Sequence, residues 1–324
     1  MTRSPLIESS RTPAWLAVAL VVLGGAGAAA QAAVNAELSH HIDSPLSAAV
    51  VSNTVGGLFF IAALTVSPRV RDGLRRAWRH RLPWWMYSGG VFGAVFVFAG
   101  AYAVPLIGVA AFTVAQVCGN SLGALATDSA GLGPGGRLRA TPPRILAAGL
   151  AIAAVVLAQL GKGVDTTIWW LVPVVMLIGA SLALQGAFNG RVNEITRNPL
   201  STGFVNFLFG TGVLYLVVAV IALAGGVPGF TLPTQPWLYL GGVFGAALVI
   251  VSMIAVRVIG VLRMAVSILA GQLGGAIGLD LLMGVRPSPW VLGAVAVTAV
   301  AVGLAGLSRS GAPKISNGVV GSEE

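Results

Sequence analysis

Tyr87-Ser-Gly-Gly-Val-Phe-Gly-Ala94 returns later in the chain as Tyr239-Leu-Gly-Gly-Val-Phe-Gly-Ala246. The match runs without a gap from Tyr87–Asp128 to Tyr239–Asp280, at a constant offset of 152 residues, with 18 of 42 positions identical. Short apolar segments often align by chance. An ungapped match of this length, with Gly108/Gly260, Gly119/Gly271, Gly123/Gly275 and Asp128/Asp280 in register, marks an internal duplication.

Composition fixes the environment of the doubled unit. The chain has 324 residues, 56% apolar and only 9% charged, against about 25% charged in a soluble domain. Runs of about 20 apolar residues read as membrane-crossing helices. The runs lack the alternating polar face of a membrane barrel. The net charge of +9 does not point to nucleic acid, because the arginines lie in short connections and no basic domain presents them. The single cysteine, Cys118, lies in an apolar run and says nothing about redox compartment.

Ten spans are predicted: Trp15–Val34, Leu46–Val66, Trp84–Val104, Leu106–Thr127 and Ile145–Gly161, then Ile168–Phe188, Leu200–Leu223, Trp237–Val256, Gly260–Met283 and Trp290–Leu307. Ala28-Ala29-Ala30 resembles a signal-peptidase site, but it runs directly into a motif that recurs in the interior, so the segment is kept as the first helix. Residues 1–13 and 308–324 read as disordered cytoplasmic ends, flanking repeats over 14–162 and 163–307. Pro45, Pro83, Pro105, Pro199 and Pro236 fall at predicted helix starts, where a missing N–H costs little. Trp84, Trp85, Trp169, Trp170, Trp237 and Trp290 fall near predicted ends, at headgroup level. Seventeen of the 19 Lys and Arg lie on one side of this scheme; only Lys162 and Arg286 lie on the other. Both termini are therefore expected in the cytoplasm.

The duplication extends to the first helix. Gln31-Ala-Ala-Val-Asn35 matches Gln185-Gly-Ala-Phe-Asn189, and Pro45-Leu-Ser47 matches Pro199-Leu-Ser201, at an offset of 154. Each half then holds five spans, and an odd number forces the second copy to insert upside down. Charge agrees: the connection after the second span holds six arginines, and its counterpart, Gly225–Pro236, holds none. Glu37 and Asp43 are replaced by Arg191 and Arg197. The predicted fold is all-α integral membrane, with ten transmembrane helices in two inverted five-helix repeats. Such halves can exchange shapes and expose a shared site to either side in turn. A secondary transporter of a small solute is the leading reading, and a duplicated, non-transporting membrane scaffold is the alternative.

These residues resemble a known family. The Gln31/Asn35 and Gln185/Asn189 pairs on the first helix of each unit, with Gly271-Gln272…Asp280 on the fourth, are similar to the YdcZ-like branch of the drug/metabolite transporter superfamily. The resemblance covers about residues 14–307 and implies a fused duplicate of two five-helix units. The first copy departs at Gly119-Asn120…Asp128, where Asn replaces Gln. The resemblance implies a bacterial inner-membrane transporter or exporter of undefined solute.

Polar groups at membrane depth need partners or water. Gln31 with Asn35, Gln185 with Asn189, and Gln116 with Asn120 each share a helical face. With Gln272, Asn53 and Asn206 they are the candidate substrate pathway; interhelical hydrogen bonding is the competing role. Asn53 and Asn206 are one position out of register. Asp128 and Asp280 are candidates for ion coupling, although loop-end acids held by water or arginine are expected more often. His40 and His41 beside Glu37 and Asp43 make a poor metal site. Gly89/Gly93, Gly119/Gly123, Gly241/Gly245 and Gly271/Gly275 are small-xxx-small pairs that let backbones approach.

Gly161-Lys162 is followed by Gly163, so no phosphate-binding loop with its Ser or Thr is present. No paired-carboxylate, Cys/His or nucleophile-elbow pattern appears. No cofactor and no enzymatic activity are expected. The expected partners are the lipid bilayer, a small-molecule solute and a second copy as a homodimer, and no nucleic acid.

If the copies face opposite ways, a cysteine at position 75 reacts with an impermeant maleimide only from the cytoplasm, and one at position 227 only from outside. Same-side labelling would refute the inversion.

Overall fold

The computed structural model describes residues 13–80, 82–133, 136–137, 141–160, 169–226 and 232–307. The predicted disordered ends lie outside these, apart from Pro13. Every regular element among the described residues is helical. Six helices are long and apolar enough to cross a membrane. They are α1 (Ala14–Ile42), α2 (Pro45–Val66), Trp84–Ile107, α5 (Val109–Ala130), α7 (Leu171–Thr196) and α8 (Pro199–Leu223). Residues Trp84–Ile107 comprise a 3₁₀ turn, Trp84–Ser88, and α4 (Gly89–Ile107). Shorter apolar stretches lie in α6 (Pro142–Leu160), α9 (Leu240–Leu282) and α10 (Pro289–Leu307). The protein is a multi-pass integral membrane protein.

Helix starts follow local chemistry. Pro45 and Pro199 open α2 and α8. Ser44 and Asn198 cap them, accepting from Ser47 N–H and from Leu200 and Ser201 N–H. Asp43 and Arg197 adopt the left-handed conformation that ends α1 and α7. Trp84, Trp169, Trp170, Trp237 and Trp290 are all exposed at helix ends.

Two elements differ from the sequence reading. The arginine-rich connection after α2 is a helix, α3 (Pro68–Arg79). Val70, Gly73 and Ala77 form its buried stripe while its arginines stay outside, which is the spacing of an amphipathic helix. Arg76 donates to Thr196 O (Nε 3.2 Å), capping the end of α7. Ser201 Oγ donates to Val70 O at 2.8 Å.

The second difference is α9, one 43-residue helical element where two spans are predicted. Its contacts show that it cannot be straight. Gly24 of α1 faces Leu248 and Val251, while adjacent Gly25 abuts Ile268 and Gln272. Leu248 and Ile268 would lie about 30 Å apart on a straight helix. The chain therefore doubles back between Ser252 and Ser267. The same reversal in the first copy is an explicit break at Gly108, whose φ of +80° is open to glycine and strained for other residues. Pro105 sits inside α4, one turn before that break.

The copies interlock. The first helix of each is held by the other: α1 lies along α9, and α7 along α4 and α5. α2 crosses α8 antiparallel, with Gly56 against Phe207, Gly203 against Phe60, and the Phe60 and Phe207 rings 5.0 Å apart. α6 pairs with α10. Matched glycines make the contacts. A Cβ on Gly119 would lie 1.8 Å from Met176 O, and one on Gly271 2.0 Å from Val22 O.

Gly271→Ala should therefore lower stability by about 2–3 kcal/mol through overpacking against backbone. Gly274→Ala, on the same helix but with nothing within 4 Å, should stay within about 0.5 kcal/mol. Thermal unfolding in detergent compares the two.

Candidate functional site

The repeated Gly-Gly-Val-Phe-Gly motif and the Gln/Asn pairs, far apart in sequence, meet in space. Gly89 and Gly93 of α4 lie against Asn189 and Gln185 of α7. Gly241 and Gly245 of α9 lie against Asn35 and Gln31 of α1. The helices run antiparallel, so a four-residue spacing on one seats a four-residue spacing on the other. The glycines leave room for the amides. A Cβ on Gly93 would sit 2.6 Å from Gln185 Nε2, and one on Gly245 2.9 Å from Gln31 Nε2. Each site spans both copies.

A third residue completes each site. In the second, Asn206 of α8 is buried, and its Oδ1 accepts from Gln185 Nε2 and from Asn189 Nδ2, both at 3.0 Å. Two donors thus share one acceptor. The residue at the matching place in α2 is Ser52, at the offset of 154, not Asn53. Gly242 lies on the Ser52 backbone as Gly90 lies on that of Asn206. Asn53, one position out of register with Asn206, is turned away from this place: its Nδ2 donates to Ala49 O of its own helix at 3.2 Å.

Serine is too short to do what Asn206 does. Asn35 is 1% exposed and Ser52 2%. Asn35 Oδ1 and Ser52 Oγ are both buried without a hydrogen-bond partner. Such an atom costs about 1–3 kcal/mol unless something meets it. The two sites are thus alike in frame and unlike in saturation: one is closed on itself and the other has unused polar capacity. They share no side chain, and among the described residues the backbones of α1 and α7 do not approach each other.

The remaining candidates scatter. Gln116 of α5 and Gln272 of α9 are buried, and Asn120 is partly buried, away from these two amide groups. Gly179 packs on the Gln116 backbone. Asp280, expected as a solvated acid at a loop end, lies buried within a helix. It is 3% exposed in the last turn of α9. Its Oδ1 accepts from Val109 N–H and its Oδ2 from Ala110 N–H, both at 3.1 Å. These are unpaired donors of the first turn of α5, just after the Gly108 break, so a carboxylate of the second copy caps a helix of the first. Asp128 is partly buried near the end of α5.

A cavity of about 610 Å³ opens between α2 and α8. Its walls are mainly apolar, with the hydroxyls of Thr54 and Tyr215 paired at 3.1 Å. Sequence reasoning missed it, since no polar motif marks it.

A family model described as "Putative inner membrane exporter, YdcZ" matches the chain twice, over residues 16–157 and 170–307. A solved structure titled "Crystal structure of protein" aligns over 91% of this chain and 98% of its own, with TM-score 0.55 and 18% identity. That likeness speaks for a shared fold. No curated protein matches.

Asn206→Ala leaves two amide groups without their acceptor and should cost about 2 kcal/mol. Ser52→Ala removes only an unpartnered hydroxyl and should be neutral or stabilising. Thermal unfolding of the two single variants tests the asymmetry.

Proposed function

Because the chain belongs to the YdcZ family, whose model it matches in two successive units, we propose that it is a secondary transporter that moves a small, hydrogen-bonding solute by alternating access. Ten crossings follow if α9 supplies two, as its reversal requires. The units, 14–162 and 163–307, then face opposite ways, and both termini lie in the cytoplasm. Gln31, Asn35, Gln185 and Asn189 form the polar path, seated on the glycines of the opposite unit. The observation that carries this reading is the unequal pair of amide sites. A solute offering a hydrogen-bond donor and acceptor meets Asn35 Oδ1 and Ser52 Oγ, which nothing else satisfies. No ATP-binding pattern competes with a secondary mechanism.

A second asymmetry suits the same reading. Ala32 of α1 is buried, and a Cβ on Gly100 of α4 would lie 3.8 Å from its Cβ. Ala29, Ala33, Ala36, Ala99 and Ala103 join that contact in the main core. The residue matching Ala32 is Gly186 of α7. Gly186 is exposed, with nothing within 4 Å of a Cβ there. Among the described residues α7 makes no contact with α9 to match that of α1 with α4. With the N-terminus inside, the α1–α4 contact lies toward the outer face and the α7 gap toward the cytoplasm. The conformation is then closed outside and open inside, and transport requires the two units to exchange shapes.

Asp280 holds the α5 end in this scheme. Asp280→Asn replaces one of two acceptor oxygens with a donor facing an N–H, and should lower stability by about 2 kcal/mol. A role in proton coupling would instead show as flux that no longer responds to a pH jump, in Asp280→Asn or Asp128→Asn, with stability unchanged.

The Ala32–Gly100 separation matches the Cβ spacing of a disulfide, about 3.8 Å. In liposomes, Ala32→Cys with Gly100→Cys should lose flux on oxidation and regain it with dithiothreitol. Undiminished flux of the oxidised protein would overturn alternating access at this contact. Gln31→Leu with Gln185→Leu should abolish flux while leaving the protein folded. Absence of flux in wild type for neutral, cationic and anionic solutes alike would favour a scaffold.

A further inference from the structure

The α2/α8 cavity has a structural origin. Ser47 of α2 lines it, and the matching residue, Ser201 of α8, is buried with its hydroxyl bonded to Val70 O of α3. The amphipathic helix α3 thus fills, in one copy, the place that the cavity occupies in the other. Among the described residues after α8 there is no helix equivalent to α3. The cavity is walled by Ser47, Val50, Val51 and Thr54 of α2 and by Tyr215 and Val218 of α8.

Its chemistry restricts the occupant. The volume of about 610 Å³ lies within the ~300–1,000 Å³ of drug-sized ligand sites, and apolar walls with a few polar groups are typical of them. None of the described lining side chains is charged, so a formal charge would be desolvated without a partner. The Thr54–Tyr215 pair has a direction. Thr54 Oγ1 donates its proton to Val50 O at 2.7 Å, so in its 3.1 Å contact with Tyr215 the tyrosine donates. With that proton spent, the phenolic oxygen of Tyr215 is left as an acceptor.

We propose that this cavity binds an uncharged, mainly apolar molecule of drug size that carries one hydrogen-bond donor, which Tyr215 accepts. The site is distinct from the amide sites, and ligand binding here does not depend on transport.

The test uses the full chain in lipid nanodiscs and the neutral photoprobe 4-benzoylbenzyl alcohol, with adducts mapped by peptide mass spectrometry. Saturable labelling is expected on the segments holding Val50–Thr54 and Tyr215–Val218. The donor-free 4-methylbenzophenone should label several-fold less, and a trimethylammonium derivative not at all. Tyr215→Phe should erase the difference between the alcohol and the methyl compound while the segments remain labelled. Filling the space from either wall, with Val50→Phe or Val218→Phe, should reduce labelling about tenfold. Leu216→Phe, on the exposed face of α8, should not. Labelling spread equally over exposed Leu58 and Leu216, or insensitive to both filling variants, would show simple partition into the bilayer and overturn the proposal. So would absence of saturable labelling, as when a lipid chain already holds the cavity.

Discussion

Close approach of helix backbones is the constraint on which this structure depends. Within a bilayer, lipid chains are as apolar as side chains, so burial alone does not bring helices together. Contact must come from packing at short range. The chain supplies it with glycines set against carbonyl oxygens: Gly25 on Ile268, Gly119 on Met176, Gly179 on Gln116, Gly271 on Val22. Removing the side chain on one helix lets the other's backbone lie directly on it. Because these glycines recur in both copies, the same contact is built twice, and each unit's first helix is captured by the other unit. The result is one interlocked body, in which polar groups can be placed between units.

The amide sites exploit that geometry. Gly89 and Gly93 serve Asn189 and Gln185, and Gly241 and Gly245 serve Asn35 and Gln31. A missing Cβ here makes room for polar side chains, not for backbone. The two sites then diverge at one position, Asn206 against Ser52. One longer side chain lets the second site satisfy itself. The shorter one leaves the first with buried polar atoms and no partner. A duplicated protein thus acquires inequivalent sites through a single side-chain difference.

The connections after α2 and α8 diverge in the same way. After α2 the chain forms an arginine-rich helix whose apolar stripe covers the groove between α8 and α7. After α8 the corresponding groove is left as a cavity. The arginines of α3 suit a headgroup layer, and the other connection carries no charge. The two connections thus differ both in charge and, among the described residues, in the presence of a helix.

Membrane location, duplication and family were legible in the sequence, because hydrocarbon accepts only long apolar runs and an ungapped repeat survives in identities such as Gly119/Gly271 and Asp128/Asp280. The amide pairs were legible as candidates by their spacing. Their partners were not, since the glycines that seat them lie about a hundred or more residues away, and only folding joins the two. The register of the repeat already separated Asn53 from Asn206, but that Ser52 stands in the place of Asn206 showed only in the fold. Asp280 misled because a carboxylate at a helix end looks solvated until another helix's first N–H groups are seen to meet it. Side-chain chemistry and hydropathy are local and can be read along the chain. Saturation of a hydrogen bond, and the cavity between α2 and α8, belong to pairs of distant segments, and only the tertiary structure decides them.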